Sequence, residues 1–342
     1  MAYTTIDDPE ANFQTVIYTG NGSANHAITL GGDTNMQPDF VWIKNRDAAD
    51  SHCLFDAVRG ATKVLHADAT TAEVTDTDTL DSFTSDGFQV DADVKVNTNA
   101  EKYVAWCWKG ANGTATNTSG DKDSTVSVNT TAGISIVKWE NDTDQAISIG
   151  HGLGAIPDAV IVKELGDAVN WHGRFKGFAA NDYISLNNTE AKGASTAVFA
   201  TLPTSALFYT GTAAYHINAN LIAYCFTSIQ GFSKIGTYEG NGNADGTFVY
   251  TGFKPAFVMT KSVDSTSSWE IFDNKREGYN VDNDALVAND NIVEATADQI
   301  DILSNGFKCR IATDPNVAET YIYMAFAEAP LVNSEGVPCN AR

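Results

Sequence analysis

The sequence predicts an all-β protein made of three tandem homologous antiparallel β-sandwich domains, of the jelly-roll or lectin-like kind. The first observation behind this prediction is a stretch that occurs three times, as PDFVWIKN at 38–45, PDAVIVKE at 157–164 and PAFVMTKS at 255–262. The second is the local pattern. Short runs of β-branched and aromatic residues are separated by Gly, Asn, Asp, Ser and Thr, and no long stretch has a capped helical period. Because a stretch repeated in this way is typical of a scaffold, function has to be sought elsewhere in the chain.

The repeated stretch is predicted to form a central strand in each domain. In the first copy Phe40 and Trp42 lie on one face while Val41 and Ile43 lie on the other, so both faces are apolar. A lysine follows in each copy and is expected to mark the point where the strand reaches the surface. These lysines are Lys44, Lys163 and Lys261.

The spacing of later markers indicates that the repeat is a whole domain. Counted from the first proline of each copy, the closing aromatic strands begin 65, 64 and 66 residues later, at Tyr103, Leu221 and Tyr321. A shorter repeat of the solenoid type would recur at 20 to 50 residues.

Composition predicts the domain boundaries. Residues 111–133 are rich in Gly, Ser, Thr and Asn, which predicts a linker between a first repeat at 1–110 and a second at 134–230. The third repeat, at 231–330, follows directly, so these two domains are expected to be closely coupled. Residues 331–342 are a nonrepeating C-terminal tail.

Charge and hydropathy exclude several classes of partner. The chain has 21 Lys and Arg against 43 Asp and Glu, a net charge of −22, so its surface repels phosphate backbones and nucleic acid is not an expected partner. No uncharged apolar run approaches the roughly 18 residues that a membrane span needs, so membrane insertion is not expected. The N-terminal residues lack the basic and apolar regions of a secretory signal.

Cysteine and histidine spacing assigns no metal ligand, cofactor or disulfide framework. The five cysteines include no CxxC pair, and the six histidines include no HxxxH or HExxH pair. Cys107 and Cys225 occupy the repeat position that is Ala325 in the third copy, which predicts reduced, buried packing residues. The acidic clusters at 76–81 and 281–285 lack the glycine and glutamate of an EF-hand, and we interpret them as solvated turns. The sequence therefore gives no catalytic residue and leaves the position of any binding site unknown.

Two sets of recurring residues have a functional and a structural interpretation. Asp56 with Arg59, and Asp273 with Arg276, form either a sugar-binding patch or structural ion pairs, and we favour the ion pairs. Fourteen residues after each proline stand His52, Trp171 and Trp269. The tryptophans stack on a sugar or pack in the core, and recurrence at one offset favours the core. Eighteen residues after the second proline Phe175 replaces the aspartate of the other copies.

Several longer strings identify a resemblance. They are YTGNG at 18–22, GHGLG at 150–154, FVYTGFKPAFVM at 248–259, IDILSNGFK at 300–308 and TYIYMAFAEAP at 320–330. They closely resemble a large family of repeat-containing β-rich proteins of unknown function from tailed, often marine, bacteriophages. The match runs from about Phe13 to the terminal NAR. The first copy departs from the family pattern, because His52 stands where the other copies have tryptophan.

The resemblance implies a virion or tail-associated protein. We therefore expect a tail-fibre or tail-tip component, not an enzyme, which presents sandwich loops to a host-surface glycan or protein. It would lie on the exterior of the virion among other virion proteins, as a homo-oligomer with a trimer favoured. One alternative is a head decoration or head-fibre protein. The other is a tail-associated polysaccharide depolymerase, which needs two carboxylates about 5 Å or 6.5–9.5 Å apart across a cleft.

Overall fold

A computed structural model of the chain describes residues 2–276, 280 and 284–339. The prediction of an all-β, antiparallel fold is confirmed. Among the described residues the helical segments are one 3-10 turn, Pro9–Ala11, and one short helix, α1, Val94–Asn97. Neither is long enough to cross a bilayer.

Unit 1, residues 13–108, contains two sheets. Its strands are β1 (Phe13–Thr19), β2 (His26–Thr29), β3 (Phe40–Asn45), β4 (Cys53–Asp56), β5 (Lys63–His66), β6 (Val74–Thr75), β7 (Leu80–Thr84), β8 (Gly87–Val90) and β9 (Lys102–Trp108). The larger sheet has the order β1-β9-β3-β4-β5-β6, and the smaller has the order β2-β8-β7.

Unit 2, residues 115–226, is also built on two sheets. Its strands are β10 (Ala115–Asn117), β11 (Ser124–Asn129), β12 (Ile134–Asn141), β13 (Ser148–Gly150), β14 (Ala159–Glu164), β15 (His172–Phe175), β16 (Asp182–Ser185), β17 (Gly193–Ala194), β18 (Leu207–Tyr209) and β19 (Ala219–Phe226). The larger sheet has the order β10-β11-β12-β19-β14-β15-β16-β17, and β13 pairs with β18.

Unit 3, residues 233–330, follows the same plan. Its strands are β20 (Ser233–Glu239), β21 (Phe248–Tyr250), β22 (Phe253–Ser262), β23 (Glu270–Asp273), β24 (Leu286–Val287), β25 (Ile300–Leu303), β26 (Gly306–Cys309) and β27 (Thr320–Pro330). The larger sheet has the order β20-β27-β22-β23-β24, and the smaller has the order β21-β26-β25.

The same strand order therefore occurs three times. In each unit the closing strand (β9, β19 or β27) lies between the opening strand (β1, β12 or β20) and the strand of the repeated stretch (β3, β14 or β22), and every pairing is antiparallel. The registers match as well, because Phe13 faces Trp108, Ile134 faces Phe226 and Ser233 faces Phe326. The division into three homologous domains stays a prediction, whereas the common order and register are properties of the structure.

The segment 111–133 differs from the predicted linker. It contains β10 and β11, and β11 pairs along β12 from Ser124 opposite Trp139 to Asn129 opposite Ile134. The reason lies in the alternation Ser124, Val126, Val128, which puts Val126 into the apolar interior of unit 2. The polar composition of the segment hid this two-residue period.

The three larger sheets pack against one another around a common interior. One apolar cluster contains residues of all three units, and aromatic rings connect the units directly: the centroids of Phe40 and Tyr224 lie 4.4 Å apart, and those of Phe13 and Phe326 lie 5.2 Å apart. A cavity at the centre has a volume of only about 20 Å³, which is close to the space of one water molecule. The centre of the molecule is therefore packing, without room for a ligand.

The repeated lysines do not surface, contrary to the sequence interpretation. Lys44, Lys163 and Lys261 are fully buried. The ammonium groups of Lys44 and Lys163 donate to carbonyl oxygens at the end of their strands and in the loops that follow. Lys261 Nζ lies 3.2 Å from the carbonyl oxygen of Thr189 in a neighbouring unit. Burial lowers the pKa of each lysine to about 8, against the attraction of nearby carboxylates. The strand pattern could not reveal this, because the loop that covers the ammonium is set by the tertiary fold.

Candidate functional site

Each contact between units uses the same backbone hydrogen bond. The amide of Glu73 donates to the carbonyl of Leu165 (2.8 Å), that of Lys192 to Val263 (3.0 Å) and that of Glu294 to Arg46 (3.1 Å). All three acceptors lie eight residues after the first proline of their repeat. The bonds run from unit 1 to unit 2, from unit 2 to unit 3 and from unit 3 to unit 1, so they close a ring.

The recurring aromatic position supplies a second bond to each contact. Trp171 Nε1 donates to the carbonyl of His66 (2.9 Å) and Trp269 Nε1 donates to that of Ser185 (2.8 Å). Both indoles are buried, so the core interpretation is confirmed and neither ring can stack on a sugar.

His52 performs the same task with an imidazole. Its Nδ1 lies 2.8 Å from Trp42 Nε1, which is a donor, so its Nε2 carries the proton and donates to the carbonyl of Val287 at 3.0 Å. Burial and the charge of Lys44 hold the pKa of His52 well below its usual range, which keeps the ring neutral. The departure from tryptophan therefore preserves the third contact.

The Asp56 and Arg59 pair is a buried link between unit 1 and unit 2. The guanidinium Nε donates to Asp56 Oδ2, and the hydroxyl of Tyr224 donates to the same carboxylate at 2.7 Å. Burial acts to lower the pKa of Arg59, but the charge of Asp56 outweighs it and raises the pKa. The structural ion-pair interpretation is confirmed.

Asp273 and Arg276 repeat this link between unit 3 and unit 1. Arg276 Nε lies 2.7 Å from Asp273 Oδ2, and the indole of Trp106 donates to that oxygen at 3.0 Å. At the corresponding positions unit 2 has Phe175 and Phe178, whose ring centroids are 6.0 Å apart. The chain thus shows one position filled by an ion pair twice and by an apolar pair once.

Four of the cysteines are structural. Cys53, Cys107, Cys225 and Cys309 are buried and unpaired, which confirms the interpretation of Cys107 and Cys225, whereas Cys339 is exposed. Burial raises the pKa of the Cys107 and Cys225 thiols, so they resist conversion to the reactive thiolate.

We expect alkylation of the native protein at pH 8 to modify Cys339 within minutes and to leave the four buried thiols unmodified. Alkylation in denaturant should modify all five. Intact-mass spectrometry measures both results. Rapid native labelling of Cys107 or Cys225, or a crosslink between them, would contradict the buried assignment.

The acidic cluster at 76–81, which the structure describes in full, forms no metal site. At 76–81 the chain makes an ordinary turn in which the amide of Asp78 donates to Asp76 Oδ1 (3.0 Å). The cluster at 281–285 lies mostly outside the described residues, since only 284 and 285 are described.

One cluster of titratable groups lies at the surface of unit 2. His216 Nδ1 is 2.8 Å from Glu164 Oε1 and 3.5 Å from Asp167 Oδ2, and the backbone amide of His216 donates to Glu164 Oε2. Glu164 is buried at the end of β14, whereas the His216 and Asp167 side chains are both 61% exposed. Among the described residues this is the group whose donor atoms lie close enough together, within 4.8 Å, to hold a metal ion.

At the corresponding position each of the other two units has a hydrogen bond between different residue types. Asn45 Nδ2 donates to Glu101 in unit 1, and Ser262 Oγ donates to Glu319 in unit 3. In all three units the bond joins the end of the central strand to the residues just before the closing strand. Sequence reasoning missed Glu164 and His216 because 52 residues separate them and no motif spacing connects them.

The hydrogen bond and the charge of Glu164, with a further contribution from Asp167, raise the pKa of His216. We expect its imidazole to titrate above 6.5 in an NMR pH titration. Glu164→Gln should lower the pKa towards the ordinary value, because the carboxylate charge is removed and an acceptor oxygen is kept. Asp167→Asn should lower it less. An unchanged pKa in Glu164→Gln would show that the carboxylate does not face the ring.

A groove runs along the open edge of β1. It has a volume of about 170 Å³ and is lined by five consecutive residues, 13–17, on one side. Gly31 and Gly32 lie beside them, and unit 3 supplies the other wall through Ala256, Ala327 and Glu328. Ile17 is 46% exposed there, and Thr15 Oγ1 is buried without a hydrogen-bond partner among the residues that the structure describes.

The comparisons with known proteins give a family and no relative of known activity. The family model described as "Domain of unknown function (DUF7483)" matches residues 8–330. No curated protein and no solved structure matches the chain significantly. With nearly the whole chain matched, this protein belongs to the DUF7483 family.

Proposed function

We propose that the protein is a non-enzymatic structural component of a bacteriophage particle, a tail-fibre or tail-tip protein that attaches to a glycan or protein of the host surface. The observation that supports this best is the use made of the recurring polar residues. His52 binds unit 3, and Asp56, which is paired with Arg59, binds unit 2. Their polar counterparts in units 2 and 3 also bind neighbouring units, which leaves the surface to loops and strand edges. A protein built in this way is suited to bearing mechanical load and to adhesion.

The shared interior and the charge agree with this role. The units are held by one apolar cluster together with like hydrogen bonds at all three contacts, so the loops are carried on a stiff frame. A net charge of −22 favours solubility at the high local concentration of a particle surface. The resemblance to phage proteins supplies the location, which is an argument by analogy.

Location is the direct test of the proposal. Immunogold labelling of purified phage particles with antibody against this chain should mark the tail. Labelling of the head would instead favour the decoration or head-fibre alternative. Absence of the chain from the particles, checked by mass spectrometry, would contradict a virion role.

Attachment is tested with the purified protein. Pre-incubation of host cells with it should reduce phage adsorption, and light scattering should give the mass of an oligomer, with a trimer favoured because several weak sites held together supply the affinity. Release of reducing ends from host polysaccharide would instead support the depolymerase alternative.

A further inference from the structure

The opening strands of the three units differ in what covers their outer edge. In unit 2, β11 lies along the outer edge of β12. In unit 3 the residues just before β20 fold back on it, since Ser233 exchanges backbone hydrogen bonds with Ile229 and the amide of Ile235 donates to Ser228 Oγ. In unit 1 the larger sheet ends at β1, and no described strand lies beyond it.

The outward groups of β1 follow from its pairing. Lys109 donates to the carbonyl of Asn12 and Gly20 donates to that of Glu101, so the even-numbered residues of this strand direct their backbone groups towards β9. Alternation directs those of Thr15, Ile17 and Thr19 away from it. In the described part of the chain these outward groups have no hydrogen-bond partner.

In unit 2 the edge that corresponds to the outer edge of β1 is paired with a strand, β11. The register places Thr15 and Ile17 at the positions of Ile136 and Lys138 in β12. These two residues of unit 2 are paired with Ser127 and Thr125 of β11.

The surroundings correspond as well. Beside β11 unit 1 presents Asp39 and Gly110, and a side chain at Gly110 would meet Ser127 Oγ at 2.6 Å. The register of the closing strands shows that Ala256 and Glu328 of unit 3 correspond to Asp39 and Gly110 of unit 1. Both Ala256 and Glu328 line the groove beside β1. The groove beside β1 on unit 1 therefore corresponds to the position that β11 occupies beside β12 on unit 2.

We propose that the edge of β1 binds an extended strand of another polypeptide by antiparallel β-addition. The occupant has the chemistry of β11, an uncharged run in which Ser and Thr alternate with Val, and it pairs small residues with Thr15 and Ile17. Main-chain hydrogen bonds supply affinity, and the wall formed by Ala256 and Glu328 selects the side chains. The β11 strand of a second copy cannot be the donor while it is paired with its own β12. This inference does not depend on the proposed virion function.

The probe is a peptide of residues 122–131, KDSTVSVNTT, which carries the β11 sequence. With about 1 mM peptide and the intact chain, amide hydrogen exchange at Thr15, Ile17 and Thr19 should slow at least tenfold, while Val16 and Tyr18 should not change. A scrambled peptide is the control. Absence of protection by KDSTVSVNTT would overturn the proposal without any substitution in the protein.

A proline pair tests the edge itself. Ile17→Pro removes an amide that points away from β9, so the sheet keeps its internal bonds and peptide affinity should fall about tenfold. Thr237→Pro changes the corresponding residue of β20 and should leave peptide binding unchanged. Equal binding by both variants would contradict the assignment to β1. Protection of Thr15 and Ile17 without peptide, at a protein concentration that also doubles the mass, would show that a second copy occupies the edge and would overturn the partner-strand assignment.

Discussion

Replacing Arg59 with methionine is expected to lower the free energy of unfolding by about 3–5 kcal/mol. The substitution removes the positive charge and leaves the carboxylate of Asp56 buried with neutral donors alone, which are the Tyr224 hydroxyl and the backbone amides of residues 58 and 59. It also leaves the carbonyl of Leu54 without the guanidinium that binds it at 2.9 Å. Urea unfolding followed by tryptophan fluorescence measures the loss.

The matched control for this substitution comes from unit 2. In unit 2 the corresponding residues are Phe175 and Phe178, which form an apolar pair. Asp56→Leu combined with Arg59→Met should therefore recover part of the loss, since the unpaired buried carboxylate is gone, while the Tyr224 hydroxyl and the Leu54 carbonyl lose these partners. If the double variant is as unstable as Arg59→Met, the loss of stability comes from the hydrogen bonds that Arg59 donates to backbone carbonyls, and not from the buried charge of Asp56.

The second large effect concerns Glu270 and pH. Burial, with a contribution from Asp314, raises the pKa of this carboxyl to about 8. A group whose pKa is raised on folding contributes stability that is fully present below its unfolded value near 4.5 and is lost as the pH rises through 8. The loss between pH 4 and pH 8 is on the order of 3–5 kcal/mol.

Glu270→Gln isolates this contribution, because the amide is close in shape and cannot ionise. The stability of the variant relative to the native chain should increase steadily from pH 5 to pH 8 and then level off. Thermal unfolding at five pH values, followed by far-ultraviolet circular dichroism, measures the difference. A difference that does not vary with pH would contradict a raised pKa at Glu270.

The fold class was predictable from sequence because it depends on local patterns. The alternation in PDFVWIKN and its two copies specifies central strands, and all three form them. The segment 111–133 was misinterpreted because its composition outweighed the alternation of Ser124, Val126 and Val128. An added edge strand needs few apolar residues, so its signal is weak.

The contacts between units were not predictable, for a different reason. The sequence shows that Trp171 and Trp269 recur at one offset, but their acceptors, His66 and Ser185, are backbone carbonyls in another unit. A backbone acceptor leaves no trace in residue identity. The same holds for Glu164 and His216, which only the fold brings together.

Cooperativity of unfolding tests most directly whether the three units form one body. The shared interior and the ring of like contacts predict a single transition in differential scanning calorimetry, with a calorimetric enthalpy equal to the van't Hoff enthalpy. Trp171→Phe, which removes one bond between unit 2 and unit 1, should lower the midpoint of that single transition without splitting it. Two or three separable transitions in the native chain, with a calorimetric enthalpy well above the van't Hoff value, would show independent domains. That result would contradict a single cooperative body.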